Sequence, residues 1–483
     1  MTVTQTFALT GLSERIERLA TDDAALRNSM TNRLAAVEGL ERLPANAAAE
    51  KLHAHLRDVF VPDKMSLAAA RRILETGWAY AIRAYPDITQ YIRVTCSDSY
   101  IWDSEPPTWI LTGLAGMSKS ATVQALERAF VPDLTFQASV HTPPRILRGG
   151  LFLKVLGKAT NKTMTLQLRK RLNMPESGSA RNGDRDLDDI RRELYRQGCL
   201  FILVDESQAI ANGALAGAAF VNLIVHMRRF GVPVIVVGNY SMCHGILAQN
   251  SQIRQRIASD PFDMPPDQAQ DLDYQEHLQA YVDACGGFLD IKPEKDSRRI
   301  CELTGGGSRA LLTLVCSAYV EARNAARQGG SVMVDLVGLE RAYGSSGYST
   351  FRDEIEHLRQ FALNARNLRK DLKNPFVSIG AAAVDSTRAA KEDYAERVAR
   401  EKVLASLSLV ERRAIASGEM ESPQCVPLGE RLVQAVSKPT ADTAASAAKP
   451  LSEPIRKAAP SRPRGAKRPL PTLQDALRTR DAF

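Results

Sequence analysis

Short apolar runs alternate with amphipathic stretches in the middle of this chain, and no other feature constrains the fold as strongly. The apolar runs occupy residues 109–111, 134–138, 200–204 and 234–237. The amphipathic stretches occupy residues 121–130, 187–196 and 218–230. Short, almost wholly apolar runs are typical of strands that are buried on both faces of a parallel sheet. The alternation therefore predicts a doubly wound α/β domain with helices on both sides of the sheet.

The sequence on either side of this region has a helical period instead. Near the N-terminus, apolar residues recur every three to four positions in two series, Leu9, Leu12, Ile16 and Leu19, then Leu26, Met30, Leu34, Val37 and Leu40. Such spacing indicates amphipathic helices. After the α/β region, further helices are predicted over residues 274–285, 295–303, 309–327 and 336–343. We therefore expect five regions: a helical N-terminal module at 1–90, an α/β core at 91–266, a helical lid at 267–345, a helical C-terminal extension at 346–418 and a disordered basic tail at 419–483.

Composition supports a folded chain whose excess positive charge lies in the tail. The 483 residues include 44% hydrophobic and 24% charged side chains, which is ordinary for a globular protein. From Lys438 onward ten Lys or Arg face four Asp or Glu, which accounts for +6 of the net charge of +8. The seven cysteines form no C-x-x-C pair, and the first thirty residues lack the pattern of a secretory signal. We therefore expect a cytoplasmic protein with reduced thiols.

A glycine-containing loop follows the first apolar run and leads into a helical stretch. Its sequence, GLAGMSKS from Gly113 to Ser120, approximates the phosphate-binding pattern G-x-x-x-x-G-K-[ST]. In such a loop the Lys119 ammonium binds phosphate oxygens and the Ser120 hydroxyl binds Mg²⁺. The predicted nucleotide-contacting residues are Gly113, Gly116, Met117, Ser118, Lys119, Ser120 and Ala121. Ser118 stands where the pattern has a second glycine, so its side chain is expected to crowd the phosphates and weaken affinity or hydrolysis.

A second motif lies where the run 200–204 ends, at Asp205 and Glu206. A buried parallel strand delivers such residues to the carboxyl edge of the sheet, where ligands of α/β proteins bind. Asp205 is predicted to hold Mg²⁺ together with Ser120, and Glu206 to polarise the attacking water. Either motif alone also fits a plain turn with solvated side chains. The two in this order predict binding of ATP and Mg²⁺.

Four other residues are candidates for catalysis or nucleotide contact. Asn239 follows the run 234–237 and is a candidate for orienting water, although a turn-forming Asn is the alternative. Arg254 and Arg256 are candidates for an arginine finger acting on a neighbouring subunit, or for a solvated basic helix face. Arg309 follows three consecutive glycines at the start of a lid helix, which predicts a position near the phosphates. Surface charge after a turn is the alternative for Arg309.

Taken in order, these motifs resemble those of AAA+ ATPases of the TnsC/TniB type, the target-selection regulators of transposons, whose role is like that of the phage Mu protein MuB. The matching segments are 113–120, 204–208, 237–239, Arg254 or Arg256 followed by 262–266, and 304–309, and the resemblance covers about half of the chain. It implies an ATP-dependent homo-oligomer, a ring or helical filament, that winds around duplex DNA. It also implies transposase and target-selector proteins as partners, and a nucleoid-associated location.

In such proteins the segment after the second strand faces the DNA. Here that segment holds Thr142, Arg145, Arg148 and Lys154, which are the predicted DNA-binding residues, and it continues with Lys158, Lys162 and the basic run 169–171. We expect these side chains to lie on a helix and a loop. Cations in this arrangement suit contacts to phosphate oxygens, which carry no sequence information. A solvated basic face is the alternative.

Two other functions remain open from the sequence. One is an AAA+ or STAND-type ATPase that acts in DNA repair, replication loading or signalling without a transposase. The other is a nucleotide-binding scaffold whose departure at Ser118 has ended catalysis. Slow turnover would suit both a DNA clamp and a scaffold, so the motifs do not separate the two.

Overall fold

The computed structural model describes residues 7–96, 106–131, 133–141, 143–155, 160–175, 183–205, 216–249, 251–258, 260–326, 332–364, 369 and 371–376. The strands are β1 Thr108–Gly113, β2 Leu134–Phe136, β3 Arg145–Leu147, β4 Gly150–Lys154, β5 Phe201–Asp205, β6 Val234–Val237, β7 Phe262–Met264, β8 Leu289–Asp290 and β9 Val334–Asp335.

The helices fall into three groups along the chain. The N-terminal ones are α1 Thr10–Thr21, α2 Asp23–Met30, α3 Ala45–Leu56, α4 Lys64–Ala84 and α5 Ile88–Cys96. Those of the α/β region are α6 Lys119–Ala129, α7 Asn161–Arg171, α8 Gly183–Arg196, α9 Ala216–Arg228, α10 Tyr240–Leu247 and α11 Ser251–Ile257. The rest are α12 Leu272–Ala284, α13 Pro293–Thr304, α14 Ser308–Ala325, α15 Leu336–Gly344 and α16 Ser349–Asn364.

A five-stranded sheet in the order β4-β5-β6-β1-β7 organises the α/β region. All four strand pairs of this sheet are parallel. The residues of β5 and β6 are all buried, and β1 is buried apart from its first residue. The predicted parallel α/β fold is therefore confirmed, with β1, β5 and β6 at the runs 109–111, 200–204 and 234–237. The chain leaves β1 toward β4 on one side and leaves β6 toward β7 on the other, which makes the carboxyl ends of β1 and β6 a topological switch point.

The second predicted core strand, at 134–138, is wrong. β2 instead pairs antiparallel with β3, away from the main sheet, and its three residues are exposed or half-buried. One edge strand of the main sheet is β4, within a segment predicted to be helix and loop, so that prediction is also wrong. The reason is burial: the first four residues of β4 are buried beside β5, whereas polar side chains interrupt the run 134–138.

The N-terminal segment is helical, as predicted, but the second apolar series does not form one helix. α2 ends at Met30, and the backbone of Asn32 exchanges hydrogen bonds of 2.7 and 2.9 Å with that of Phe60. This pairing with a distant segment holds the chain extended, although the apolar spacing continues to Leu40.

The N-terminal helices share their cores with the rest of the chain. Phe7 packs edge-on against Trp78, and the Tyr85 ring lies 4.6 Å from that of Tyr195 in α8. The apolar residues of α1, α2 and α4 belong to the same buried cluster as the sheet. Those of α3, including Leu52, belong to the cluster of the lid helices. Within the described residues, the N-terminal helices therefore divide between two cores.

The four predicted lid helices are present as α12, α13, α14 and α15, and β8 and β9 add a short parallel pair that the sequence did not indicate. α16 begins the predicted C-terminal extension. The predicted tail at 419–483 lies outside the described residues, and the domain boundaries stay a prediction. In the described part of the chain, no helix combines the length and the apolar character that crossing a bilayer requires.

Candidate nucleotide-binding site

The loop between β1 and α6 lies at the switch point of the sheet. Lys119 begins α6 and is 8% exposed. Its Nζ donates hydrogen bonds to the carbonyl oxygens of Gly113, at 3.1 Å, and Leu114, at 2.5 Å. Burial lowers the pKa of Lys119 to about 8, an effect that the nearby Asp205 carboxylate opposes. A buried ammonium held by carbonyl oxygens is positioned to receive anionic oxygens.

The two residues predicted to hold Mg²⁺ lie together. Ser120 is in the first turn of α6, and its hydroxyl donates a hydrogen bond of 3.1 Å to Oδ1 of Asp205. Asp205 is the last residue of β5 and is 7% exposed. A hydroxyl and a carboxylate are oxygen donors of the kind that Mg²⁺ prefers, so these side chains fit the metal chemically. They are 85 positions apart in the sequence, and only the parallel sheet brings them together.

Ser118 adopts a left-handed backbone conformation, with φ of 42°. Its hydroxyl donates a hydrogen bond of 3.1 Å to the Ser308 hydroxyl at the start of α14. Ser308 in turn donates to the carbonyl oxygen of Gly116, also at 3.1 Å. The side chain expected to crowd the phosphates thus links the phosphate-binding loop to the lid. Arg309 follows Ser308, is exposed and lines a cavity that Lys119 and Ser120 also line.

Asn239 follows β6, and its role in orienting water stays a prediction. Its side-chain oxygen caps α10 by accepting hydrogen bonds from the Met242 backbone N–H, at 3.3 Å, and the Ser241 hydroxyl, at 2.7 Å. It also lines the cavity next to the loop. Gly116, Met117, Ala121 and Lys154 also line the cavity.

The remaining catalytic candidates are only partly described. Arg254 is exposed on α11. Arg256 lies on the same helix, but its side chain is outside the described residues, and Glu206 lies outside them entirely. The arginine-finger and water-activating roles therefore stay predictions.

The predicted DNA-binding residues differ in their exposure and in the groups that they contact. Arg145 lies on β3 and is half-buried. Arg148 donates from Nε to Gln197 Oε1 at 2.6 Å and lies 3.6 Å from Asp133, so its guanidinium has internal partners. Lys154 ends β4 directly opposite Asp205 and lines the nucleotide cavity. Thr142 lies outside the described residues.

The cavity has a volume of about 470 Å³. Part of its wall is formed by residues of α3, the chain after α3, α12 and α14, namely His53, Val59, Phe60, His277, Tyr281 and Leu312. The sequence does not indicate this part of the wall, because its members come from segments with ordinary helical patterns. Only the packing of α3 on the lid brings them together. The cavity is within the size range of small-molecule sites.

A C-terminal segment packs behind the loop. Leu372 is buried with Leu114, Met117 and Tyr240. Asn374 Nδ2 donates to Asp263 Oδ2 at 2.7 Å, and the Tyr240 hydroxyl donates to Oδ1 of the same carboxylate at 2.8 Å. Burial raises the pKa of Asp263. The rear of the phosphate-binding loop is thus supported by chain that lies more than 200 residues later.

Comparison with known proteins yields only distant likenesses. No protein-family model matches the chain, and no curated protein matches it significantly. The Aeropyrum pernix ORC1 protein, solved in complex with DNA, is 15% identical over 64% of this chain and 70% of that one, with a TM-score of 0.35. The Aeropyrum pernix ORC2 protein in its ADPNP-ADP complexes is 14% identical over 63% and 75%, with a TM-score of 0.38. Cdc6p from Pyrobaculum aerophilum is 14% identical over 63% and 79%, with a TM-score of 0.35. Likenesses this low assign neither a family nor a function to the chain.

Proposed function

We propose that this protein is a P-loop ATPase of the AAA+ class. One observation carries the proposal: the Ser120 hydroxyl lies 3.1 Å from the Asp205 carboxylate, beside the buried Lys119, at the switch point of a parallel sheet. A hydroxyl and an ammonium at the start of α6, beside a carboxylate at the end of β5, suit a triphosphate with its magnesium ion.

Each group has a separate task in this proposal. The first turn of α6 and Lys119 bind phosphate oxygens, while Ser120 and Asp205 hold Mg²⁺, which neutralises charge on the phosphates. Asn239 orients the attacking water, and Glu206, next to Asp205, polarises it. Arg309 binds phosphate from the lid, and Arg254 or Arg256 acts on the nucleotide of a neighbouring subunit.

Calorimetric titration with ATP and Mg²⁺ tests the proposal. Lys119→Ala is expected to lose about 10- to 100-fold in affinity, since it removes charge-assisted bonds. Lys170→Ala, an exposed lysine on α7, is the matched control and should bind as the unmodified protein does. Absence of ATP uptake by the unmodified protein would overturn the proposal.

Hydrolysis is tested separately. Glu206→Gln should keep ATP binding and lower turnover by about 10²- to 10⁴-fold, the range typical of a lost general base. Equal turnover in both proteins would instead favour the nucleotide-binding scaffold.

We further propose that the ATP-bound protein oligomerises on duplex DNA and recruits or activates a transposase. The support is the resemblance to the TnsC/TniB type, together with Arg145 and the exposed Lys162 and Lys170 on α7. Anisotropy with labelled duplex should show binding that requires ATP and weakens as salt rises. The double variant Lys162→Ala, Lys170→Ala should bind less tightly with a shallower salt slope. Equal DNA binding with and without nucleotide would contradict this role.

A further inference from the structure

Residues 371–376 lie against the back of the phosphate-binding loop, and we call them the C-terminal strap. The strap consists of turns and bends and contains no helix or strand, so its position depends on its contacts with the rest of the chain. Segments held in this way open more easily than core helices and strands do. The strap is therefore an element whose position can respond to a ligand.

An apolar contact connects the strap to the loop itself. Leu372 is 7% exposed and shares a buried cluster with Leu114 and Met117, which both lie in the loop. The carbonyl oxygen of Leu114 also accepts the hydrogen bond of 2.5 Å from Lys119 Nζ. Leu114 is thus held through its backbone by the phosphate-binding lysine and through its side chain by the cluster that contains the strap.

Two polar contacts connect the strap to elements beside the loop. Asn374 Nδ2 donates a hydrogen bond of 2.7 Å to Oδ2 of Asp263 in β7. His244 Nε2, in α10, donates a hydrogen bond of 3.0 Å to the carbonyl oxygen of Lys373. The strap is therefore fixed to β7 and α10 as well as to the loop.

β7 transmits the position of the strap to the first residue of the loop. Gly113 pairs with Met264 of β7, and a Cβ on Gly113 would lie 2.5 Å from the Met264 carbonyl oxygen. The Gly113 carbonyl oxygen also accepts a hydrogen bond of 3.1 Å from Lys119 Nζ. A displacement of β7 would therefore disturb both the start of the loop and the lysine.

We propose that the C-terminal strap is coupled to the nucleotide, so that bound ATP stabilises the seated strap and the seated strap strengthens ATP binding. The inference rests on the proposed function and adds a conformational response to it. The loop must hold one conformation to present its N–H groups and Lys119 to phosphates. A seated strap already orders the back of the loop, so less ordering remains for ATP to impose. Such coupling is reciprocal, because each event changes the equilibrium of the other by the same factor.

Calorimetric titration with ATP and Mg²⁺ measures one direction of the coupling. Leu372→Ala and Asn374→Ala should each weaken ATP binding about 3- to 10-fold, because each removes a contact that holds the loop. Leu372→Met keeps the apolar volume and should bind within about twofold of the unmodified protein. Arg369→Ala is the matched control and should bind ATP unchanged, since Arg369 forms a largely exposed ion pair with Asp371.

Trypsin measures the other direction, because it cleaves after lysine and the strap contains Lys373. ATP and Mg²⁺ should slow cleavage after Lys373, quantified by mass spectrometry, about 3- to 10-fold, since proteolysis follows the population of the open segment. Cleavage after the exposed Lys170 on α7 is the internal reference and should slow less. In Lys119→Ala, at an ATP concentration that saturates only the unmodified protein, the protection after Lys373 should disappear.

Asn374→Ala leaves the apolar cluster intact and keeps the test valid if Leu372→Ala does not fold. Unchanged ATP affinity in the folded variants, or equal protection after Lys373 and Lys170, would overturn the inference and leave the proposed function intact. Tighter ATP binding by the variants would make the strap inhibitory and would also overturn it. If the unmodified protein binds no ATP, the proposed function itself fails.

Discussion

Ser118 replaces the second glycine of the phosphate-binding pattern, and its side chain is held within the site by a hydrogen bond. A left-handed backbone costs a side chain other than glycine about 1–2 kcal/mol. Ser118 offsets part of this cost through the hydrogen bond to Ser308. Serine at this position therefore lacks the backbone freedom of glycine, but it forms a hydrogen bond between the phosphate-binding loop and the lid.

Substitutions at Ser118 separate these two effects. Ser118→Ala loses the hydrogen bond and keeps the strained backbone, whereas Ser118→Gly loses the bond and relieves the strain. We expect Ser118→Gly to be more stable than Ser118→Ala by about 1 kcal/mol. Urea unfolding measures the difference. Equal stability of the two variants would mean that the left-handed conformation carries no cost at this position.

Asp267 is a buried carboxyl group near the point where the lid joins the core. Burial, and next the Asp63 carboxylate, raise the pKa of Asp267 to about 9. Between pH 4 and 9 the folded protein therefore holds a proton that the unfolded chain has released, so the contribution of Asp267 to stability is full at low pH and declines as the pH rises. An amide at this position would keep the neutral form at every pH.

The free energy of unfolding of Asp267→Asn should accordingly improve, relative to the unmodified protein, between pH 5 and pH 8. The expected gain is up to about 1.4 kcal/mol per pH unit, the limit for one titrating group. Asp290→Asn, at an exposed carboxylate, is the control and should show no such trend. A constant difference between Asp267→Asn and the unmodified protein would contradict the raised pKa.

Residue types at fixed spacing made Lys119, Ser120 and Asp205 predictable from the sequence. His277 and Phe60 were not predictable, because each lies in a segment with an ordinary pattern and meets the cavity only through long-range packing. The left-handed conformation of Ser118 was equally invisible, although its position in the motif marked it for attention.

At the level of the element, apolar runs predicted strands well where both faces are buried, as in β5 and β6. The apolar runs failed as predictors where the number of apolar residues in a segment does not match its burial in the structure. Residues 134–138 hold enough apolar side chains for a strand, but β2 lies on the surface. β4 begins with a glycine, follows another and ends in a lysine, so its local pattern is weak. It joins the edge of the main sheet because β5 offers it a partner.

The turn between α13 and α14 fixes the lid on the phosphate-binding loop. Gly306 has a φ of 70°, and a Cβ there would lie 2.3 Å from the Asp267 carbonyl oxygen. Gly287 has a similar φ of 89°, but a Cβ there would meet nothing within 4 Å. A comparison of Gly306 with Gly287 therefore separates the cost of a left-handed backbone from the cost of a steric contact at Cβ.

Gly287→Ala should cost about 1 kcal/mol of stability, because only the left-handed backbone is strained. Gly306→Ala should cost about 3 kcal/mol or more, since backbone atoms must also move. It should weaken ATP binding too, because Ser308 and Arg309 follow the turn. Chemical denaturation and calorimetry measure both effects, and equal losses of stability in the two variants would contradict the steric argument.

At the level of the whole molecule, the described chain has two large cores whose membership does not follow sequence order. α3 lies between α2 and α4 in the sequence, yet its buried face belongs to the lid, while its neighbours pack with the sheet. The cavity lies where these two cores meet, since α6 and β5 line one part and α3, α12 and α14 line the other. The helical period predicts a separate N-terminal module, because such a period indicates that one face of a helix is buried but not which element covers that face.

The division into two cores predicts which part of the molecule a given core substitution destabilises. Leu52 in α3 and Leu74 in α4 are both fully buried, so truncating either to alanine should cost about 2–5 kcal/mol. Because Leu52 packs with the lid, Leu52→Ala should accelerate amide hydrogen exchange in α14 more than in β5. Leu74→Ala, the matched control, should do the reverse, since opening reports the local core. On the proposed function, a saturating nucleotide would stabilise the folded protein and is expected to reduce the contrast. If Leu52→Ala accelerated exchange equally in α14 and β5 without nucleotide, the two cores would be one cooperative unit and the cavity would not lie at a boundary between them.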